Sequence, residues 1–391
     1  MRAYFLLEWK AFHHNLKNRA VFLLFLIATV YYALIIVPQY EPIEAVDVEV
    51  IQDELSEGAY FLENSNENPQ SSSTQMYLQL YPQLNEINQN RLNALEKTDY
   101  DTYLDETIQW FGVSPIAREP KMEYFTYDQP YPDQEAAYFN QYTMGRYTAY
   151  LEGDYELTLN VLEERTALQS LQRTLNGKAS FLLIAMVVLF SFDVLTVNRD
   201  HKTIIQSLPL TFRKQLSTKT LVVLTGVFIT LGISFFLWLL LVGVRYGVGD
   251  WNLPVPVYGY SIHGGIQIMI PMFQFLLQAV VLFCIISIVF SRGIMIFSLL
   301  LKNEIINLVL GLLMIFMENL YYMRGIGYFS NVSMLPPTFF EIGAALSGYQ
   351  NHLYTTDIIT FGTGVLSLSS LWLLIELLLY FLTSFKFFRK M

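Results

Sequence analysis

The stretch LVVLTGVFITLGISFFLWLLLVGV, residues 221–244, decides the fold class, because its 24 residues include no charged side chain. A helix of about 20 apolar residues crosses the hydrocarbon core of a bilayer. Five other runs are long and apolar enough to do the same; they are residues 20–37, 179–197, 266–301, 305–323 and 358–385. The sequence therefore predicts an all-α integral membrane protein with six transmembrane helices.

The boundary between the fourth and fifth predicted spans has two solutions. Arg292 and Gly293 could form a turn, or the fourth helix could continue to Leu301 and turn at residues 302–304. The second solution keeps the polar side chains of that turn out of hydrocarbon, where each charge costs several kcal/mol. It also lets Arg292 extend its guanidinium to the lipid headgroups. We favour the second solution, and both give six spans.

Basic residues predict the orientation. They cluster in three segments that an even number of spans places on one side; these are Arg2, Lys10, Lys17 and Arg19, then Arg199, Lys202, Arg213, Lys214 and Lys219, then Lys386, Arg389 and Lys390. Cytoplasmic loops are enriched in Lys and Arg. We therefore expect a multi-pass protein of the cell (plasma) membrane with both termini in the cytoplasm.

The insert, residues 38–178, is expected to form a separate acidic domain outside the cell. It holds 25 Asp and Glu residues but only 8 Lys and Arg residues, whereas the whole chain has a net charge of −10. Apolar residues recur every three or four positions over residues 157–175, which is typical of a helix that leads directly into the second span. The polar stretch 63–75 predicts a loop. Overall, the insert is predicted to be mostly helical.

The N-terminal segment, residues 1–19, is amphipathic. Phe5, Leu6, Trp9 and Phe12 can share one helical face. Aromatic side chains favour the headgroup region of a bilayer. The segment is therefore predicted to be an interfacial helix on the inner leaflet, before the first span.

Sequence motifs for catalysis are missing. The chain has no GxxxxGK[ST] phosphate loop, no HExxH motif and no GxSxG motif. Its histidines and its single cysteine, Cys284, show no metal-binding spacing. We therefore expect a non-catalytic chain that binds no metal, no cofactor of its own and no nucleic acid.

Polar residues near or within the predicted spans are the remaining candidates for chemistry. They are Asp193, Lys302, Glu304 and Glu376. Intramembrane carboxylates usually face a bundle interior or a watery cavity. A proton relay is one interpretation, and hydrogen bonds between helices are the other.

The cytoplasmic segment after the second predicted span, RDHKTIIQSLPLTFRKQLSTK at 199–219, resembles one in permeases of type-2 ATP-binding-cassette (ABC) exporters. The matching residues are an acid, a Leu-Pro pair and two basic residues; they are Asp200, Leu208, Pro209, Arg213 and Lys219. A glycine of the family pattern is absent, with Lys202 and Thr203 in its place. Residues 7–19, 298–304 and 334–348 also resemble family segments.

This resemblance implies several parts. Residues 1–19 would be an elbow helix, the loop 198–220 would contain a coupling helix, and residues 324–357 would be an outer re-entrant segment. Leu208 and Pro209 would contact a separate ATPase subunit, with Arg213 and Lys214 facing acidic residues at its rim. ATP and Mg would bind that partner. A second permease, in a homodimer or heterodimer, would complete the transporter.

The substrate expectation rests on the insert. Its charge and its aromatic residues could attract an amphipathic cationic or antimicrobial peptide by cation–π contact; these residues are Tyr124, Phe125, Tyr127, Tyr131, Tyr138, Phe139, Tyr142 and Tyr147. A lipid-like substrate remains open, and so does an acidic domain whose tyrosines pack its own core. A membrane sensor or receptor is the alternative function. Exported domains without cysteine are common in Gram-positive bacteria, which hints at the source.

Overall fold

The computed structural model describes residues 2–42, 44–65, 71–113, 132–196, 210–261, 264–321 and 334–384. These residues are largely helical. In chain order the helices are α1 (Arg2–His14), α2 (Leu16–Tyr31), α3 (Val48–Asn64), α4 (Ser72–Glu96), α5 (Tyr100–Val113), α6 (Pro132–Glu152), α7 (Leu159–Leu162), α8 (Ala167–Asn176), α9 (Ala179–Ser191), α10 (Phe212–Tyr246), α11 (Met272–Leu301), α12 (Glu304–Ile315), α13 (Glu318–Tyr321), α14 (Ile342–Leu346), α15 (Tyr349–Tyr354) and α16 (Phe361–Ser384).

The described part of the chain contains four helices long and apolar enough to cross a membrane. They are Leu16–Gln39, in which a π-helical and a 3₁₀ turn extend α2, together with α10, α11 and α16. A fifth candidate is the pair Leu159–Asn176 and Ala179–Ser191, which is bent by 76°. The structure thus supports the predicted helical membrane protein, with four or five candidate spans among the described residues.

The second predicted span, 179–197, is shorter than expected. Its helix α9 ends at Ser191 and covers 13 residues. The preceding apolar face is divided between α7 and α8, so the single helix predicted over 157–175 is wrong. Ile184, Met186, Val187 and Val188 of α9 are completely buried. A helix that is apolar on every side packs at the centre of a bundle, and α9 has that position.

The fourth predicted span is wrong at its start. Residues 266–271 lie in an antiparallel hairpin of β1 (Pro254–Ser261) and β2 (Gly264–Pro271), in which Val255 pairs with Ile270. Pro254 and Pro256 disfavour a helix on the first strand, and the second strand completes the ladder. This hairpin is an addition to the predicted all-α fold.

The favoured turn between the fourth and fifth spans is present. Helix α11 runs through Arg292 and ends at Leu301, where Lys302 takes a left-handed conformation with φ 58°. The side chain of Asn303 accepts hydrogen bonds from the backbone N–H groups of Ile305 and Ile306 and so caps α12. Helix α12 has only 12 residues, so the continuous span predicted over 305–323 is not found.

Helices occupy both ends of the loop predicted at 63–75. Helix α3 reaches Asn64 and α4 begins at Ser72; residues 66–70 lie outside the described part. Asp47 caps α3 by accepting hydrogen bonds from the N–H groups of Glu49 and Val50. The insert has its own apolar core, built around residues such as Leu104, Trp110 and Leu162.

The insert is joined to the membrane bundle at the end of α10. The N–H groups of Ala167 and Leu168 donate to the carbonyls of Gly247 and Val248 at 3.0 and 3.1 Å. The indole of Trp238 donates to the Ala167 carbonyl at 2.9 Å. Because α8 leads to α9, these bonds fix the insert against two helices of the bundle.

The described part of the predicted re-entrant segment, 334–357, consists of a 3₁₀ turn (Pro336–Phe340), α14 and α15. Phe339 and Phe340 are buried in the bundle core. The N–H of Tyr258 in β1 donates to the carbonyl of Ser347 at 2.9 Å. The segment therefore packs between the hairpin and the bundle.

Candidate functional site

Four charged residues meet where α1, α2, α9 and α10 come together. Lys17 Nζ lies 2.5 Å from Asp193 Oδ1, just after the end of α9. Lys219 Nζ of α10 lies 2.7 Å from Glu8 Oε2 of α1. We call Glu8, Lys17, Asp193 and Lys219 the ionic junction. Its two positive and two negative charges cancel, which reduces the cost of holding them away from water.

The N-terminal cap of α2 holds Lys17 close to Asp193. Asn15 caps α2, because its side-chain oxygen accepts a hydrogen bond from the Lys17 N–H at 2.9 Å. The amide nitrogen of the same side chain donates to Asp193 Oδ2 at 3.2 Å. Asp193 therefore bonds between helices, which agrees with the second of the two interpretations of this residue.

Helix α1 packs against α10. The side chains of Tyr4 and Lys219 are buried, and the ring of Phe12 fills the space beside Gly226, where a Cβ atom would collide with it. The predicted elbow segment is thus helical, and one face of it packs on protein.

A small cavity of about 70 Å³ lies beside the ionic junction. It is lined by Glu8, Asn15, Asn18, Asp193 and Lys219, among others. The Asn18 side chain donates to the Phe12 carbonyl at 2.9 Å, while its Oδ1 atom is buried without a protein partner. The cavity has polar and apolar walls and is large enough for a few water molecules, which its polar groups could hold.

A second ion pair joins α11 and α16. Arg292 Nε is 2.7 Å from Glu376 Oε1, and Arg292 Nη2 is 3.3 Å from Oε2. Arg292 also donates to Ser217 at 3.2 Å, and Trp372 donates to Glu376 at 3.2 Å. The expected extension of Arg292 to the headgroups is therefore wrong, because a bidentate carboxylate lies within reach.

Arg213, at the start of α10, contacts the end of α16. Its Nε donates to Thr383 Oγ1 at 3.1 Å, and its Nη2 donates to Ser384 Oγ at 2.8 Å. Its guanidinium carbon lies 3.7 Å from the centre of the Tyr380 ring. Arg213 remains exposed, and these contacts tie it to α16 of its own chain.

The other predicted site residues are spread along the same end of the bundle. Lys214, Lys302 and Glu304 are exposed. Thr196 donates to Glu304 at 3.4 Å; an acidic residue in the first turn of α12 is also favoured by the helix dipole. Asp200, Leu208 and Pro209 lie outside the described residues.

The insert contains a further buried ion pair. Arg146 of α6 lies 2.9 Å from Glu164, and the hydroxyl of Tyr142 donates to Glu164 at 3.3 Å. Burial, and then the charge of Glu164, hold the pKa of Tyr142 well above its usual value. These groups therefore form a polar core contact within the insert.

The aromatic surface proposed for peptide binding is only partly accessible. Tyr138 and Tyr147 are 4% and 3% exposed, so they pack the interior of the protein and cannot receive a peptide. Phe139 is 37% exposed. Residues 124–127 and Tyr131 lie outside the described part. The described tyrosines fit the alternative of a domain that packs its own core.

Sequence reasoning found most of the charges at this end but missed their pairing. Glu8 was given no role, Lys17 was only a topology signal, and Arg292 was expected to reach the headgroups. Some charges of opposite sign lie at similar depths in different predicted helices. That coincidence is the sequence signal that could have revealed these pairs. Among the described residues, no group of three or more His, Cys, Asp or Glu side chains could hold a metal ion.

Together these features define a multi-pass helical membrane protein with a helical insert and charged contacts between its spans. No protein-family model matches the sequence, and no curated protein or solved structure is significantly similar to it.

Proposed function

We propose that this chain is the transmembrane permease subunit of an ABC exporter, driven by ATP hydrolysis on separate ATPase subunits. The observation that carries the proposal is the ionic junction. It joins α1, α2, α9 and α10 at the end of the bundle where residues 192–211, which overlap the predicted loop 198–220, connect α9 to α10. A displacement of that loop is passed to several helices because ion pairs hold their ends together.

The length of α10 suits this role. At about 1.5 Å per residue, its 35 residues extend roughly 52 Å. The hydrocarbon core is about 30 Å thick, so α10 reaches beyond it. Closure of an ATPase dimer on Leu208 and Pro209 would tilt α10 and shift the bundle between two states. Two permease copies, or this chain and a second permease, would enclose the path.

The proposed substrate is an amphipathic peptide or a lipid-like molecule. The excess of acidic residues in the insert favours a cationic molecule, since a field of one sign raises the local concentration of the opposite charge. Because Tyr138 and Tyr147 are buried, we do not expect the substrate to contact these two rings. Binding would then depend on exposed carboxylates and would weaken at high salt.

A membrane sensor is the second candidate. The backbone hydrogen bonds between Ala167 and Gly247 and between Leu168 and Val248 favour it, because they couple the insert directly to α10. A ligand on the insert could move α10 and alter a cytoplasmic partner. The two candidates differ in the identity of that partner.

Purification of the full-length chain from its native membrane in mild detergent separates the candidates. The exporter predicts that an ATPase subunit co-purifies and that the complex hydrolyses ATP, while the isolated chain binds no ATP. Recovery of a kinase in stoichiometric amount, with no ATPase, would support the sensor and contradict the exporter.

A further inference from the structure

Arg213 uses its planar guanidinium on the last turn of α16. It donates to Thr383 Oγ1 at 3.1 Å, to Ser384 Oγ at 2.8 Å and to the Tyr380 carbonyl at 3.3 Å. It also stacks on the Tyr380 ring at 3.7 Å. Lysine cannot reproduce this set, because it lacks the planar fork that bonds and stacks at once. We call these interactions the Arg213 contact.

The position of the Arg213 contact makes it a link between helices. Arg213 is the second residue of α10, next to the loop that joins α9 to α10. Helix α16 packs along α11. Another polar connection between α16 and α10 runs through Arg292 of α11, which bonds Ser217 of α10 and Glu376 of α16. A shift at the start of α10 therefore reaches the end of α16 first through Arg213.

The Arg213 contact also involves polar groups of α16 that bond one another. The Tyr380 carbonyl accepts hydrogen bonds from the side chains of Thr383 and Ser384 at 3.2 and 2.7 Å. Arg213 therefore joins a polar cluster on the last described turn of α16.

We infer that Arg213 is a positioning residue that transmits movement of the start of α10 to α16. It does so without contacting an ATPase or a substrate. The inference rests on the proposed exporter function for the source of the movement. Arg213 then links two helices of this chain instead of serving as a charge that docks an ATPase. Helix α16 is thereby added to the helices that move with the loop.

Two substitutions separate the internal link from a docking charge. Arg213→Lys keeps the positive charge and loses the fork. Tyr380→Leu removes the ring and leaves Arg213 intact. Tyr380→Phe is the matched control, since it keeps the stacking surface, and Lys10→Ala removes one exposed charge from α1.

The first readout is the distance between spin labels at Thr211→Cys and Phe381→Cys in a Cys284→Ala background, which removes the single native cysteine. We expect Arg213→Lys and Tyr380→Leu to broaden or lengthen the distance distribution. Tyr380→Phe and Lys10→Ala should leave it as in the parent. An unchanged distribution in Arg213→Lys overturns the inference, whatever partner the protein has.

The second readout is the ATPase rate of the purified complex with and without transported substrate. Arg213→Lys should still assemble with the ATPase and keep its basal rate, but lose most of the substrate stimulation. A merely structural defect would lower both rates together, and a docking charge would be preserved by Lys. Normal stimulation in Arg213→Lys contradicts the inference alone, whereas the absence of any co-purified ATPase contradicts the proposed function.

Discussion

At the scale of single residues, Gly343 is a position where two backbone segments pack very closely. A Cβ atom there would meet the backbone carbonyl of Leu175 and the backbone nitrogen of Asn176. The absence of a side chain lets α14 approach the end of α8 closely. The contact joins the predicted re-entrant segment to the insert, so it fixes two parts of the molecule together.

Gly343→Ala should therefore lower stability. Overpacking against rigid backbone costs about 1–3 kcal/mol. We expect a lower thermal unfolding midpoint in detergent. Gly232→Ala in α10 is the control, because a Cβ atom there meets nothing within 4 Å and Ala favours a helix. Equal midpoints for Gly343→Ala and wild type would contradict this account of the contact.

The ion pair of Lys17 and Asp193 allows a second test at this scale. Removal of one partner from a buried pair leaves an uncompensated charge and costs about 3–5 kcal/mol. The side chains are 23% and 10% exposed, so we expect a loss of stability below the upper end of that range. Lys17→Met and Asp193→Leu should each lower the unfolding midpoint.

The double variant should recover much of that loss, because both charges are then absent. A double-mutant cycle measures the coupling. Additive losses would show that the two residues act independently and would contradict the ion pair.

At the scale of elements, the sequence predicted the long helices well. Apolar runs of about 20 residues dictate α2, α10 and α16, the last with Glu376 as its one charged residue, because an unpaired backbone polar group cannot remain in hydrocarbon. The residues 266–271 were assigned to a helix because they are apolar. The partner strand that makes them part of a hairpin lies before them, and run length carries no information about pairing.

The turns within the insert were harder to predict. Periodicity over 157–175 is continuous, yet Glu164 adopts a positive φ of 53° and separates α7 from α8. The reason is tertiary: Arg146 of α6 pairs with Glu164 at 2.9 Å, and the Ala167 N–H donates to the Gly247 carbonyl at 3.0 Å. Contacts made after folding decide this break, so local patterns could not reveal it.

Helix α6 gives a prediction about pH. Burial, the largest cause, raises the pKa of Tyr142, Tyr147 and Tyr150 above the usual value of 10.0. The unfolded chain then loses these protons at lower pH than the folded protein. Their contribution to stability is complete below pH 10 and falls as pH rises further.

Tyrosinate absorbance during alkaline titration checks this. In wild type, these tyrosines should ionise only with unfolding of the insert. The difference between wild type and a Tyr142→Phe, Tyr147→Phe variant isolates two of them. Ionisation of that pair near pH 10 in the folded protein would show that they are solvated.

At the scale of the whole molecule, the topology predicted from the sequence can be tested directly. Six crossings would place both termini on one side of the membrane and the insert on the other. Single cysteines at Lys10 and Glu49, each exposed and each introduced into Cys284→Ala, report the two sides. A membrane-impermeant maleimide should label Glu49→Cys in intact cells and Lys10→Cys only after permeabilisation.

If both positions are labelled from the same side, an even number of crossings separates them. That result would contradict the six-span topology and would require α2 to enter and leave the membrane on the same side. The ionic junction belongs to this scale as well. Each of its charges is visible in the sequence, but only the assembled bundle brings them together.

In the proposed exporter, a separate ATPase exerts force on this protein through the loop between α9 and α10. The most direct measurement is the substrate-stimulated ATPase rate of the purified complex carrying Leu208→Asp. A buried charge at an apolar contact should disrupt docking, so we expect stimulation to be abolished while membrane insertion is retained. Leu208→Met, which conserves volume and apolarity, should remain active. Undiminished stimulation with Leu208→Asp would contradict the claim.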